Sequence, residues 1–175
     1  MAIALTGFSG FCGFRPLEEI KSYLETVPEF KKVVGESVAS SFVQKISSAS
    51  SKDALTRNSV SIKDSPPSDI SHLQSALRDL FSALMRADAE SLVKPQVETL
   101  VARYQKEKAV KSSTDLKFGS SIEELVLRLN EQFPKDVGIF CSFLLNVVEL
   151  QPGEACFLQA NEPHAYLSGR KSGGH

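Results

Sequence analysis

The chain has 175 residues, 42% of them hydrophobic and 23% charged. That is the profile of an ordinary globular protein, with room for one sizeable domain or two small ones. Twenty Lys+Arg against 21 Asp+Glu give a net charge of −1. With no basic patch to neutralise phosphates, nucleic acid is not an expected partner. The odd set Cys12, Cys141 and Cys156 has no CxxC spacing, which argues against a disulfide framework or a cysteine zinc knuckle and for buried thiols.

The N-terminal MAIALTGFSGFCGFRP is apolar, but its first positive charge, Arg15, follows the apolar run instead of preceding it. That order is wrong for a signal peptide, and no run approaches the ~20 apolar residues of a membrane span. The chain is expected to be soluble and intracellular. MAIAL has the composition of a short buried strand, after which Gly7, Gly10 and Gly13 interrupt any regular pattern. PLEEIKSYLET predicts a helix: Pro16 suits a first turn, Glu18 and Glu19 complement the dipole, and Leu17, Ile20 and Leu24 share a face. VPEFKKVV and ESVASSFVQKI are weaker helical segments divided by Gly35, and KDSPPSD is a turn-rich linker.

Three stronger helices follow, over residues 69–86, 88–109 and 121–133. The first carries Ile70, Leu73, Leu77, Leu80, Phe81 and Leu84 at spacings of three and four. Asp88 can cap the second, which carries Leu92, Val97, Leu100, Val101 and Tyr104, with Pro95 near its start or at a kink. The third opens with a serine ahead of a Glu-Glu pair, places Leu125, Leu129 and Phe133 on one side and stops at Pro134. Beyond it the period changes. VGIFCSFLLNVVEL reads as a long strand, EACFLQA as a second and HAYLSG as the start of a third, with turns at QPGE and NEP. Ile139, Phe140, Phe143, Leu145, Val147 and Phe157 are expected to seek partners on both faces of that sheet. The fold class is α+β: one strand, about 115 mostly helical residues, then β segments of a sandwich or small barrel.

Of three histidines, His72 lies in a helical pattern and His175 is terminal, which leaves His164 at a strand mouth directly after Pro163. Proline restricts its own φ and biases Glu162 toward extended geometry, so His164 leaves the turn at a restricted angle. Such rigid presentation suits a metal ligand, which must reach about 2.0–2.1 Å from zinc. A lone histidine at a strand mouth is, however, more often a hydrogen-bonded surface or core residue, and no second ligand motif is present. Tyr166, two residues along the strand, is expected on the same face.

PGEACFLQANEPHAYLSG resembles the cupin hairpin of type I phosphomannose isomerases, and CGFRPLEEI and FLLNVVELQPGE resemble the same family. The likeness covers residues 1 to about 169, with a looser helical middle. It implies that residues 1–13 end a first cupin segment and 14–135 form an inserted helical domain. Residues 136–169 would return to a cupin-type β-sandwich (jelly roll), and 170–175 would be a divergent tail.

The resemblance further implies a zinc-dependent isomerase in which His164 binds the metal and Tyr166 either lines the sugar pocket or packs in the core. Its substrates would be mannose 6-phosphate and fructose 6-phosphate, exchanged through an enediol in a cytoplasmic, monomeric enzyme supplying GDP-mannose synthesis. Zinc would stabilise charge on the sugar oxygens as a Lewis acid. Glu162 is expected to be solvated, and Arg170 does not match the family's catalytic arginine. In the family a glutamine, a histidine and a glutamate that precede the equivalent of Met1 complete the zinc site. This chain therefore resembles an internal fragment, expected to be inactive alone. A non-catalytic cupin-like binder and a helical interaction module are the competing readings.

Overall fold

A computed structural model describes residues 2–49, 67–110, 121–156, 163–169 and 171–173. Strands β1 (Ala2–Ala4) and β2 (Phe8–Phe14) precede helices α1 (Leu17–Thr26), α2 (Pro28–Val34), α3 (Glu36–Ser48) and α4 (Pro67–Met85). A π-helical turn (Ala89–Val93) leads into α5 (Lys94–Val110), followed by α6 (Ile122–Gln132) and the one-turn α7 (Gly138–Cys141). Strands β3 (Leu145–Leu150), β4 (Ala155–Cys156), β5 (His164–Ser168) and β6 (Lys171–Gly173) come last, so the α+β class holds.

The helices form where the apolar spacing and the caps place them. Leu17, Ile20 and Leu24 of α1 are buried together. Gly35, at φ 88°, divides α2 from α3 in a backbone region that side-chain-bearing residues rarely enter. On α4 the buried stripe is Leu73, Ala76, Leu80 and Leu84, while the side chain of Ile70 lies outside the described set. Asp88 caps the next segment, its Oδ1 accepting from the Ser91 N–H at 2.7 Å. The ladder then widens, with the Val93 N–H reaching the Asp88 carbonyl at 2.9 Å. Pro95 explains the widening, because it has no N–H to offer the Ser91 carbonyl. Ser121 caps α6 by accepting from the Glu124 N–H at 3.3 Å. Phe133, expected on the buried face of that helix, is instead 53% exposed. It is the C-cap residue, with φ −133°, so its side chain leaves the helical face.

Residues 137–150 correct a second expectation, since they do not form one long strand. Asp136 Oδ2 accepts from the Gly138 N–H at 2.6 Å and starts a helical turn, and the strand begins only at Leu145. Ile139, Phe140 and Phe143 consequently face the helices and not a second sheet. Phe143 lies 5.4 Å from the Phe30 ring and 6.3 Å from Phe140. A continuous apolar run has the same composition whether it is a buried helical turn or a buried strand, and here tertiary packing decides. Phe157 lies outside the described residues.

Gly7, Gly10 and Gly13 also do not prevent a strand, because β2 runs through the last two of them. It is the centre of an antiparallel sheet ordered β3-β2-β5. A Cβ on residue 10 would lie 2.9 Å from the Ala165 carbonyl oxygen, so the close approach of β5 needs glycine there. A second antiparallel sheet, β4-β1-β6, pairs Ala2 with Cys156 on one side and Gly173 on the other. The segment expected to diverge as a tail thus supplies a strand. The Pro152–Gly153 turn is closed by the Glu154 N–H to the Gln151 carbonyl at 3.0 Å, and the Gly153 N–H donates to Ala4 at 2.8 Å.

Arg15 joins the sheet to the helices. Its Nε donates to the Ser142 carbonyl at 3.0 Å and Nη1 to Glu19 Oε2 at 3.1 Å. Its guanidinium carbon lies 5.4 Å from the Tyr23 ring centroid. A second tie crosses the helical layer. Glu29, buried in the first turn of α2, accepts from Arg103 of α5 in a two-pronged bond of 3.0 and 2.7 Å. Burial pushes the Glu29 carboxyl up, but the Arg103 bonds, the Glu29 backbone N–H and nearby positive charge outweigh it. The group sits below its ordinary value. No helix among the described residues is long and apolar enough to cross a membrane.

Candidate functional site

β5 is built as a two-sided strand. Leu167 turns toward the helical core, whereas His164 and Tyr166 are exposed on the other face, as period-two alternation requires. In the β2 register His164 stands opposite Cys12, and Tyr166 opposite Gly10. The Gly13 N–H donates to the Pro163 carbonyl at 3.0 Å, which anchors the approach to His164. The imidazole therefore projects from a strand held along its length by the central strand of the sheet.

Tyr166 packs on one side and is open on the other. Its ring meets Phe8 edge-on at 5.5 Å and lies 6.1 Å from the His164 ring, yet it remains 45% exposed. Phe8 is buried and supports it from β2. That support, and the clearance that Gly10 leaves opposite Tyr166, had no signal in the sequence, because strand pairing across more than 150 residues creates both.

An exposed imidazole on an anchored strand can serve as a metal ligand. Among the described residues, however, no group of three or more His, Cys, Asp or Glu side chains could hold a metal ion. A metal site that used His164 would need its other donors from outside the described residues. His72 is exposed on α4. Cys141 is a buried thiol that desolvation, helped by the charge of Asp136, pushes up to about 12, far from a nucleophile. Cys12 is half-buried. Glu162 and Arg170 lie outside the described residues.

A helical layer inserted between strands, beside a histidine-bearing strand, defines the class. Residues 33–145 match the family model of the type I phosphomannose isomerase helical insertion domain. The chain belongs to the type I phosphomannose isomerase family. It is 42% identical over 172 residues to the mannose-6-phosphate isomerase of Candida glabrata, covering 97% of this chain and 35% of that protein. Against the Homo sapiens mannose-6-phosphate isomerase it is 40% identical over 169 residues, with 97% and 34% covered.

A crystal structure of the Salmonella typhimurium mannose 6-phosphate isomerase, bound to fructose 6-phosphate and zinc, superposes with a TM-score of 0.60 at 27% identity. That match covers 97% of this chain and 32% of the other. The chain thus spans about a third of the length of the curated relatives it matches.

Proposed function

We propose that this chain is the insertion-bearing part of a zinc-dependent mannose-6-phosphate isomerase, an aldose–ketose isomerase acting on mannose 6-phosphate and fructose 6-phosphate. The observation that carries the reading is that similarity to these enzymes extends over 97% of the chain and includes the strand that presents His164.

His164 in this reading is a neutral metal ligand, one ring nitrogen donating electrons and the other held by an acceptor. Tyr166, beside it and half open, lines the sugar pocket. Zinc, when bound, supplies Lewis-acid stabilisation of charge on the sugar oxygens. A catalytic zinc usually has three protein ligands, so His164 needs donors from parts of the relatives that this chain does not span. The reading carries with it a cupin-type sheet, a cytoplasmic enzyme and a role in supplying GDP-mannose synthesis.

The test is a chimera in which this chain replaces the matching third of the Candida glabrata enzyme. It is expected to bind zinc and convert mannose 6-phosphate, while the 175-residue chain alone shows neither stoichiometric zinc nor turnover. A folded chimera without zinc or activity would refute the reading. Within that chimera Tyr166→Phe is expected to keep its zinc and raise KM for mannose 6-phosphate about tenfold, the worth of one lost hydrogen bond to substrate. An unchanged KM would reduce Tyr166 to a packing residue.

A further inference from the structure

Phe8 is 8% exposed, yet it stands apart from the helical core that takes in Phe11, Phe30, Phe42, Phe140 and Phe143. Strand alternation gives the reason. Phe11 looks toward the helices, whereas Phe8 and Gly10 share the opposite face of β2, the face that carries Tyr166 and His164. Packing of the helical core therefore does not explain why a ring is buried at position 8.

The surroundings of that ring are shaped by two glycines. A Cβ on residue 10 would lie 3.1 Å from Phe8 Cζ and 3.2 Å from Cε1, so the ring lies over bare backbone there. The β2–β5 register then shifts between Ser9 and Gly10, which leaves Ser9 Oγ 3.1 Å from Ser168 Oγ. Beyond the shift Gly169 closes on residue 8, where a Cβ would meet Phe8 Cα at 2.7 Å and Cβ at 3.1 Å. Leu150 of β3 is the register partner of Phe8 on the other side. The ring so confined meets Tyr166 edge-on at 5.5 Å and 64°. Tyr166 stands opposite Gly10, 45% exposed, with the His164 ring 6.1 Å away on its far side. A half-open tyrosine is thus braced against a buried aromatic wall.

We propose that Phe8 is a positioning residue of the isomerase site. Its edge-on contact holds the Tyr166 ring in the rotamer that meets the sugar, and so sets substrate affinity without touching zinc or substrate. The proposal rests on the reading of Tyr166 as a pocket residue. Without the wall, Tyr166 spreads over other rotamers, and apparent affinity falls in proportion to the competent fraction. An aromatic pair of this geometry is worth about a fivefold shift in such a population.

Steady-state kinetics and zinc analysis of the Candida glabrata chimera test it. Phe8→Leu is expected to raise KM for mannose 6-phosphate about fivefold. Zinc should stay stoichiometric, and kcat should stay within about twofold because saturating substrate restores the competent rotamer. In a Tyr166→Phe background no hydroxyl remains to be placed, so the same change should add less than about twofold. Should Phe8→Leu fail to fold, Phe8→Met, which is unbranched and fills more of the space without a ring, is read in the same way.

An active chimera whose KM does not respond to loss of the Phe8 ring would overturn the proposal. So would effects of Phe8→Leu and Tyr166→Phe that simply multiply, since Phe8 would then act through packing and not through Tyr166. No KM effect of Tyr166→Phe would overturn it as well, because there would be no substrate contact to position. A folded chimera without turnover would refute the isomerase reading itself and this proposal with it, a result visible before any Phe8 variant is made.

Discussion

His164→Ala in the Candida glabrata chimera is expected to lower zinc affinity and turnover together by at least about 100-fold. Loss of a partner that merely supports a ligand already costs 10–100-fold, and removal of the ligand itself exceeds that. The protein should nevertheless stay folded. His164 is exposed, and the β2–β5 ladder at Cys12 uses main-chain atoms that alanine retains. Thermal stability of the metal-free protein should therefore change by no more than about 0.5 kcal/mol, the range of a surface substitution. Metal analysis that finds stoichiometric zinc in the alanine variant would remove His164 from the metal site. Comparison with Tyr166→Phe separates the roles, because that change is expected to leave zinc bound.

Arg103→Ala is expected to cost about 3 kcal/mol of stability at neutral pH, the lower end for removing one partner of a buried ion pair. The lower end applies because the Arg103 side chain is 33% exposed, whereas that of Glu29 is only 5% exposed. The same asymmetry makes Glu29→Ala milder, at about 1 kcal/mol: Arg103 then keeps Glu107, 3.3 Å away, and water.

The pH dependence distinguishes the two variants. In the wild type the Glu29 carboxyl lies below its ordinary value in the folded state. Its contribution is present above the unfolded carboxylate value of about 4.3 and disappears as pH falls through the lower folded value. In Arg103→Ala the carboxyl is buried without its partner, so its folded value rises and the destabilisation shrinks as acid neutralises it. Urea denaturation of both variants at neutral and mildly acidic pH would show this. Equal losses for the two at neutral pH would mean that the pair behaves as a surface contact.

The helices were the most legible part of the sequence, because each carries its own instructions. Asp88 and Ser121 mark starts, and the buried positions of α1, α4 and α6 recur at three and four. What could not be read locally depends on partners distant in sequence. Gly10 looks like a strand breaker until Ala165 is placed against it. Residues 138–141 look like a strand until Phe140 and Phe143 meet Phe30. The common face of His164 and Tyr166 followed from alternation alone, while Phe8 behind them did not. The Ser9–Ser168 contact arises from a one-residue register shift, and composition records no such shift.

The pairing of β2 also has a consequence in time. Cys12 and His164 are 152 positions apart (164 − 12), and every residue of the helical layer is made between them. At a synthesis rate of ~5–20 residues per second, β2 waits roughly 8–30 s for β5, far longer than a helix takes to form. Until β3 is made, β2 is an unpaired, apolar strand on a ribosome-bound chain, with Phe8 and Phe11 uncovered. The short helices that follow it can fold first, and Arg15 can already engage Glu19 and Tyr23 within α1. The strand that bears the histidine is then added to a scaffold already assembled, so a nascent chain stalled before residue 145 would be a natural client for a chaperone that shields strand edges.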